Sequence, residues 1–383
     1  MPTIPYNRPH LTGEELRYIA EAVANLQLSA NGEFTRRCQS WLEERLGAAR
    51  VFLTHSCTAA LEMAALLADI GPGDEVIMPS FTFVSTANAV ALRGGVPVFV
   101  DIRPDTLNLD ETLIESAITP RTRAICAVHY AGVGADLDAI GAIARKYNLL
   151  VLEDAAQGLF ACWRGRPLGT IGALGALSFH ETKNVISGEG GALLINDPEL
   201  AGSAETIWEK GTDRSRFRRG ETSRYTWQTL GSSFAPSEIT AAFLWAQLQH
   251  GEEITARRRA QWSRYHAAFE DLEQAGLAGR PEIPRECQHN AHLYRLLLPS
   301  AKSREETIAE LGRAGIQAIF HYVPLHDSPA GLRYGRASGN LRVTGDAAAR
   351  LVRLPLHASL TEAEQEYIIR AVYSACHEPP VCQ

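Results

Sequence analysis

The sequence predicts an α/β protein: a mostly parallel sheet covered by helices on both faces, with a smaller α+β domain behind it. Between residues 50 and 153, short apolar runs alternate with stretches of helical period, which is how parallel strands joined by crossover helices read in sequence. Two more apolar runs, 172–179 and 188–196, face each other across a hairpin rich in hydroxyls and glycine. Beyond residue 251 strands become sparse. The large domain, with its N-terminal arm, is therefore set at residues 1–250 and the small one at 251–383.

The elements follow in chain order. Residues 12–24 have helical spacing, with Leu16, Ile19, Ala20 and Val23 on one face, and the turn Ser29-Ala30-Asn31-Gly32 follows; this reads as an arm packed on the main body. The first strand is 50–53, and Ser56-Cys57-Thr58 opens helix 59–68 with Thr58 as N-cap. A strand feeding a helix through small and hydroxyl residues also presents unpaired N–H groups to an anion. After Gly71-Pro72-Gly73-Asp74 come strand 75–78, helix 84–92, strand 96–102, helix 109–118, strand 124–129, helix 137–146 and strand 149–153. Helix 198–210 carries its proline in the first turn, and helices 236–250 and 253–274 flank the domain boundary. The small domain is expected to hold strands 292–298 and 316–322 with helices 303–314 and 361–375.

Composition removes several classes of function. With 45% hydrophobic and 21% charged residues the chain is an ordinary globular one. A net charge of −7 argues against a dedicated nucleic-acid binder. The most apolar helical stretch, 58–70, is interrupted by Glu62 and Asp69 and does not reach the length of a membrane span. Pro2, Pro5, Asn7 and Arg8 occupy the place of a secretory core, so a cytoplasmic location is expected. The seven cysteines (38, 57, 126, 162, 287, 376 and 382) include no Cys-x-x-Cys pair, which supports neither a metal site nor a disulfide framework.

Chemistry concentrates at two strand ends. The apolar strand Val151-Leu152-Glu153 delivers Asp154, and about 30 residues later the strand 172–179 runs into His180-Glu181-Thr182-Lys183-Asn184, followed by Gly188-Glu189-Gly190-Gly191. Taken alone, Lys183 is a solvated surface lysine. At a sheet edge it is partly desolvated, which lowers its pKa and frees the amine to condense with an aldehyde. An aspartate and a lysine at neighbouring strand ends are what a pyridoxal 5′-phosphate (PLP) site needs. Phe83 also follows a strand at that edge, where ligands collect in such sheets.

Glu153-Asp154-Ala155-Ala156-Gln157, Ser178-Phe179-His180-Glu181-Thr182-Lys183-Asn184 and Gly188-Glu189-Gly190-Gly191 resemble the signature of the DegT/DnrJ-type sugar-nucleotide aminotransferases. The likeness runs from Pro5-Tyr6-Asn7-Arg8-Pro9 to Leu354-Pro355-Leu356. It implies the aspartate aminotransferase-like fold type I and PLP as cofactor. Lys183 would hold the cofactor's aldehyde and act as general base, Asp154 would pair with the pyridine nitrogen, and Gln157 would bond the ring's phenolic oxygen. Phe83 would stack on the ring, although by its residue type it is a core aromatic. Cys57, Thr58 and Ser178 would bind the phosphate, and His180 is either a cofactor contact or a structural histidine. The substrates implied are a dTDP-4-keto-6-deoxyhexose and L-glutamate, and the assembly a homodimer or higher.

Arg214, Arg216, Arg218 and Arg219 crowd a polar stretch that is either a solvated charged loop or a diphosphate clamp. His321 and Tyr322 are offered on the sugar side. Many relatives carry asparagine where this chain has Ser233 in Gly231-Ser232-Ser233-Phe234, so the expected contact to the neighbouring subunit's cofactor passes to a shorter side chain. Within the resemblance, a PLP-dependent sugar dehydratase would carry histidine at position 183, and a non-catalytic regulator would have lost Asp154, Gln157 or Lys183. A nicotinamide-binding protein would show Gly-x-Gly-x-x-Gly after the first strand, which is absent.

Overall fold

The structure, a computed structural model, describes residues 3–377; Cys382 lies outside them. Eight strands form the main sheet in the order 50–54, 191–195, 174–178, 150–154, 122–128, 75–79, 96–100, 336–337. Only Gly191–Ile195 runs against the rest, so the other seven strands end at one edge. The strands read as continuous apolar runs because both faces are covered. Val51, Leu53, Ala192 and Leu194 pack under helices Glu33–Leu46 and Glu238–Gln249, while Phe52, Leu193 and Ile195 alternate to the opposite face. There helices Cys57–Leu67, Val84–Ala91 and Ala201–Trp208 close the core around Met63 and Met78. A second core, around Tyr265, Phe269, Tyr294, Leu311 and Val372, joins the long helices after residue 250 to the antiparallel pair Tyr294–Leu297 and Leu351–Leu354.

Several elements differ from expectation, each for a local reason. Helix Glu33–Leu46 lies outside the elements anticipated above, although Phe34, Cys38 and Leu42 bury one face. Its N-terminus is capped from afar: Glu238 accepts from the N–H groups of Gly32, Phe34 and Thr35. Helix Glu15–Ala24 buries Glu15, Tyr18 and Ala22, leaving Leu16 and Val23 exposed. The carboxylate of Glu15 accepts from Thr12, Gly13 and Gln247, which holds that side of the helix inward. Ser56, not Thr58, caps helix Cys57–Leu67, accepting from Ala59 N at 3.1 Å. Residues 109–118 form only a 3₁₀ turn, Glu111–Leu113, and one helical turn, Ile114–Ala117. The expected strand 316–322 reduces to single bridges, Ile4 to Ile316 and Ile319 to Arg353. Among the described residues no helix is long and apolar enough to cross a membrane, and no cluster of metal-binding side chains exists.

Candidate active site

The shared strand edge gathers the site. Register places Val128 and Ala176 beside Asp154, and Gly191 beside both Ser178 and Thr54. Lys183 hangs in the hairpin just past Ser178. Gly191 has to be glycine, because a Cβ there would stand 2.5 Å from the backbone nitrogen of Cys57. That approach sets the first turn of helix Cys57–Leu67 against the lysine hairpin. The first N–H groups of a helix have no partner within it, and Ser56 Oγ satisfies only that of Ala59. The amides of Cys57 and Thr58 therefore remain for an anion, beside the buried Ser178 hydroxyl.

Asp154, 5% exposed, is held by two donors: Thr86 Oγ1 to Oδ2 at 2.7 Å and Ala156 N to Oδ1 at 3.2 Å. Burial lowers the pKa of the Lys183 ammonium from its ordinary value; Cys57 and Asp154 oppose that shift and the Arg353 guanidinium adds to it. Gln157 accepts from Ala131 N at 2.7 Å and donates to Tyr322 Oη at 3.1 Å, leaving one amide hydrogen free. Gln157, Ser178 and Lys183 line a narrow cavity of about 10 Å³. Phe83 is no core aromatic: it begins helix Val84–Ala91 with 57% of its surface exposed, its ring 6.5 Å from that of Tyr322. The chain after residue 250 brings His321, 3.0 Å from Tyr130 Oη, and Tyr322 into an aromatic cluster with Phe81. Burial drives the pKa of His321 well below its usual value. His180 is occupied within its own loop, 2.9 Å from Thr182 Oγ1 and 3.7 Å from the Glu189 carboxylate.

None of the four arginines lines the cavities that hold Lys183. Arg219 pairs with Glu205 and Glu221, and Arg216 with Glu221; both line a depression beside Leu66 and Leu67. Arg214 and Arg218 line another depression, together with Ser233. Residues 223–233 are all exposed, Trp227 at 76%.

Two cations escaped the sequence reading, and the charge of one of them, Arg353, acts on Lys183. Arg353 stands opposite Arg295 across the strand pair Tyr294–Leu297 and Leu351–Leu354. Arg353 donates through Nε and Nη2 to Phe320 O and through Nη1 to Tyr6 Oη, so one N–H on each Nη remains free. Among the described residues neither arginine has a carboxylate within ion-pair distance, and the Nη1 of buried Arg295 has no partner at all. Like charges facing each other across strands are unfavourable. The motif Leu351-Val352-Arg353-Leu354 carried a usable signal, since an arginine alternating with buried apolar residues projects from the opposite face of its strand.

A fold with this strand edge, a lysine biased toward its neutral form, an anchored carboxylate and free helix N–H groups defines a PLP-dependent aminotransferase of fold type I. The family model of the DegT/DnrJ/EryC1/StrS aminotransferases matches residues 9–373, and the chain belongs to that family. It is 33% identical to GDP-perosamine synthase of Caulobacter vibrioides, over 97% of this chain and 98% of that one. It is likewise 33% identical to the dTDP-4-dehydro-2,3,6-trideoxy-D-glucose 4-aminotransferase of Saccharopolyspora spinosa, over 94% of each. The solved structure of S. venezuelae DesV superimposes with a TM-score of 0.90 at 30% identity, covering 99% of this chain and 100% of that one. The protein is a sugar-nucleotide aminotransferase.

Proposed function

We propose that the enzyme moves the amino group of L-glutamate to C4 of a dTDP-4-keto-6-deoxyhexose, with the galacto product favoured. The observation that carries the donor half is Arg353, whose charge acts on Lys183 and which has no carboxylate within ion-pair distance among the described residues. The free fork of Arg353 suits a carboxylate held by two parallel hydrogen bonds. The acceptor half rests on resemblance. Pro79-Ser80-Phe81-Thr82-Phe83-Val84-Ser85-Thr86-Ala87-Asn88, Val128-His129-Tyr130-Ala131-Gly132-Val133 and His321-Tyr322-Val323-Pro324-Leu325-His326 are similar to the transaminase that makes dTDP-4-amino-4,6-dideoxygalactose. The relative from Saccharopolyspora spinosa also bears a 4-aminotransferase name.

When bound, PLP supplies the electron sink that acidifies the carbon bearing the amino group. This chain's residues do the rest. Asp154 would face the ring nitrogen and favour its protonated form. The free amide hydrogen of Gln157 would serve the phenolic oxygen, Phe83 would cover a ring face, and Cys57 N, Thr58 N and Ser178 Oγ would hold the phosphate. Lys183 Nζ would anchor the cofactor and serve as the proton-carrying base, a task suited to an amine whose pKa burial has lowered. His180 is left with a loop-stabilising role. His321 and Tyr322 form the sugar-side wall. The exposed stretch 223–233, with Trp227 and Tyr225 uncovered, supports a homodimer in which this segment and Arg214 reach the neighbour's cleft; the ion pairs of Arg216, Arg218 and Arg219 argue for a supporting role there. Mass spectrometry and NMR of the product formed from dTDP-4-keto-6-deoxyglucose and glutamate test the reading. Failure to aminate that sugar while another nucleotide keto-sugar is turned over would overturn the substrate assignment.

A further inference from the structure

We propose that Thr86 is a positioning residue for Asp154, at the end of a directional hydroxyl chain that starts at Thr82. The inference rests on the reading of Asp154 as partner of the cofactor's pyridine nitrogen. Thr86 Oγ1 lies 2.7 Å from Asp154 Oδ2, and Thr82 Oγ1 lies 2.9 Å from Thr86 Oγ1. An ionised carboxylate only accepts hydrogen bonds, so Thr86 must donate to Asp154, and its oxygen is then free to accept from Thr82. The chain has one direction as long as Asp154 is charged.

Burial gives the chain its weight. Thr82 and Thr86 are each 2% exposed and Asp154 5%, and hydrogen bonds in such surroundings polarise one another. The second donor to Asp154, Ala156 N at 3.2 Å, is longer. Thr82 lies just before the N-cap Phe83 and Thr86 in the first turn of helix Val84–Ala91, and the bend between them brings the two hydroxyls together. The same turn exposes Phe83 and, through Ser85 Oγ at 2.7 Å from Thr58 Oγ1, touches the helix start offered to the phosphate. One turn of chain thus indexes the ring face, the phosphate end and the carboxylate at the ring nitrogen. Without the Thr86 hydroxyl, the carboxylate becomes more basic and the shared proton moves from the pyridine nitrogen toward Asp154.

The test loads the full chain with PLP labelled with ¹⁵N at the pyridine position and reads that nitrogen by NMR beside the kinetics of the glutamate half-reaction. Thr86→Val, nearly isosteric, is expected to move the nitrogen signal toward that of neutral pyridine. It should also lower the rate of the half-reaction about tenfold at saturating glutamate, with KM within twofold. Thr86→Ser should keep the wild-type signal and a rate within twofold of wild type. Thr82→Val, which leaves the direct donor in place, should shift the signal the same way by less. A wild-type nitrogen signal in Thr86→Val overturns the proposal, as does Thr86→Ser behaving like Thr86→Val, which would make the methyl group the part that matters. No shift in Thr82→Val removes the chain. Failure of the Asp154 assignment itself is read separately: Asp154→Asn would then leave the nitrogen signal unchanged.

Discussion

Replacing Arg353 by methionine removes the free guanidinium fork while keeping an unbranched apolar stem. Two charge-assisted hydrogen bonds to a carboxylate, at about 1.5 kcal/mol each toward the lower end of their range, come to about 3 kcal/mol, or about 150-fold in kcat/KM for glutamate. The structural cost is the bonds from Arg353 to Phe320 O and Tyr6 Oη and the contact of its guanidinium with the Tyr6 ring, 4.8 Å from the centroid, so the variant should fold. Stopped-flow absorbance of the bound cofactor resolves the two half-reactions. The glutamate half-reaction should fall by that factor while the second half-reaction, from the cofactor's amino form to the keto-sugar, stays within about threefold. Arg353→Lys should recover little, since an ammonium cannot present two parallel donors. A glutamate kcat/KM within threefold of wild type in Arg353→Met would refute the reasoning and return Arg353 to a structural role between Tyr6 and Phe320.

Lys183→Ala should abolish transamination and the yellow colour of the holoenzyme while circular dichroism stays that of the wild type; turnover at the wild-type rate would remove the lysine from its role. Asp154→Asn should still bind PLP yet lose most activity, because an amide accepts from the ring nitrogen without charge; activity within a few-fold of wild type, by coupled assay, would contradict this. Glu75, fully buried, holds Arg336 of the edge strand and Arg121, and the Arg336 hydrogen bond is the largest cause bringing its pKa from 4.5 to about 2. A depressed carboxylate stabilises the fold above its unfolded pKa and loses that contribution as pH falls through its folded one. Glu75→Gln should therefore cost up to about 3 kcal/mol at pH 7. The gap to wild type should narrow below pH 4.5 in urea titrations, and a gap independent of pH would exclude the ion pair as its source. Light scattering should report a dimer that Trp227→Glu weakens; full turnover by a monomer would rule out a shared site.

Lys183, Asp154, Gln157 and the glycine hairpin were legible in the sequence because each sits within a few residues of an apolar strand that declares itself. The mostly parallel sheet, and with it the fold class, followed from the alternation of strands and helices; the strand order did not. For Gly191 only its presence was legible, since the need for a missing Cβ arises where its backbone meets that of Cys57. Other features depended on partners far along the chain. The cap on helix Glu33–Leu46 comes from Glu238, the donor to Asp154 lies 68 positions upstream, and Arg353 meets Tyr6 across 347 residues. Periodicity also cannot say which face of a short amphipathic helix turns inward. Leu16 and Val23 looked like the inner face of the arm, yet the hydrogen bonds of Glu15 to Gln247 and the Thr12 turn put Tyr18 and Ala22 there instead. Local sequence determined which groups stand at the strand ends, because pattern and turn chemistry act over a few residues. Only the tertiary structure decided which distant donors hold those groups and which arginines are left with free valence, because hydrogen bonding and desolvation are settled by neighbours in space.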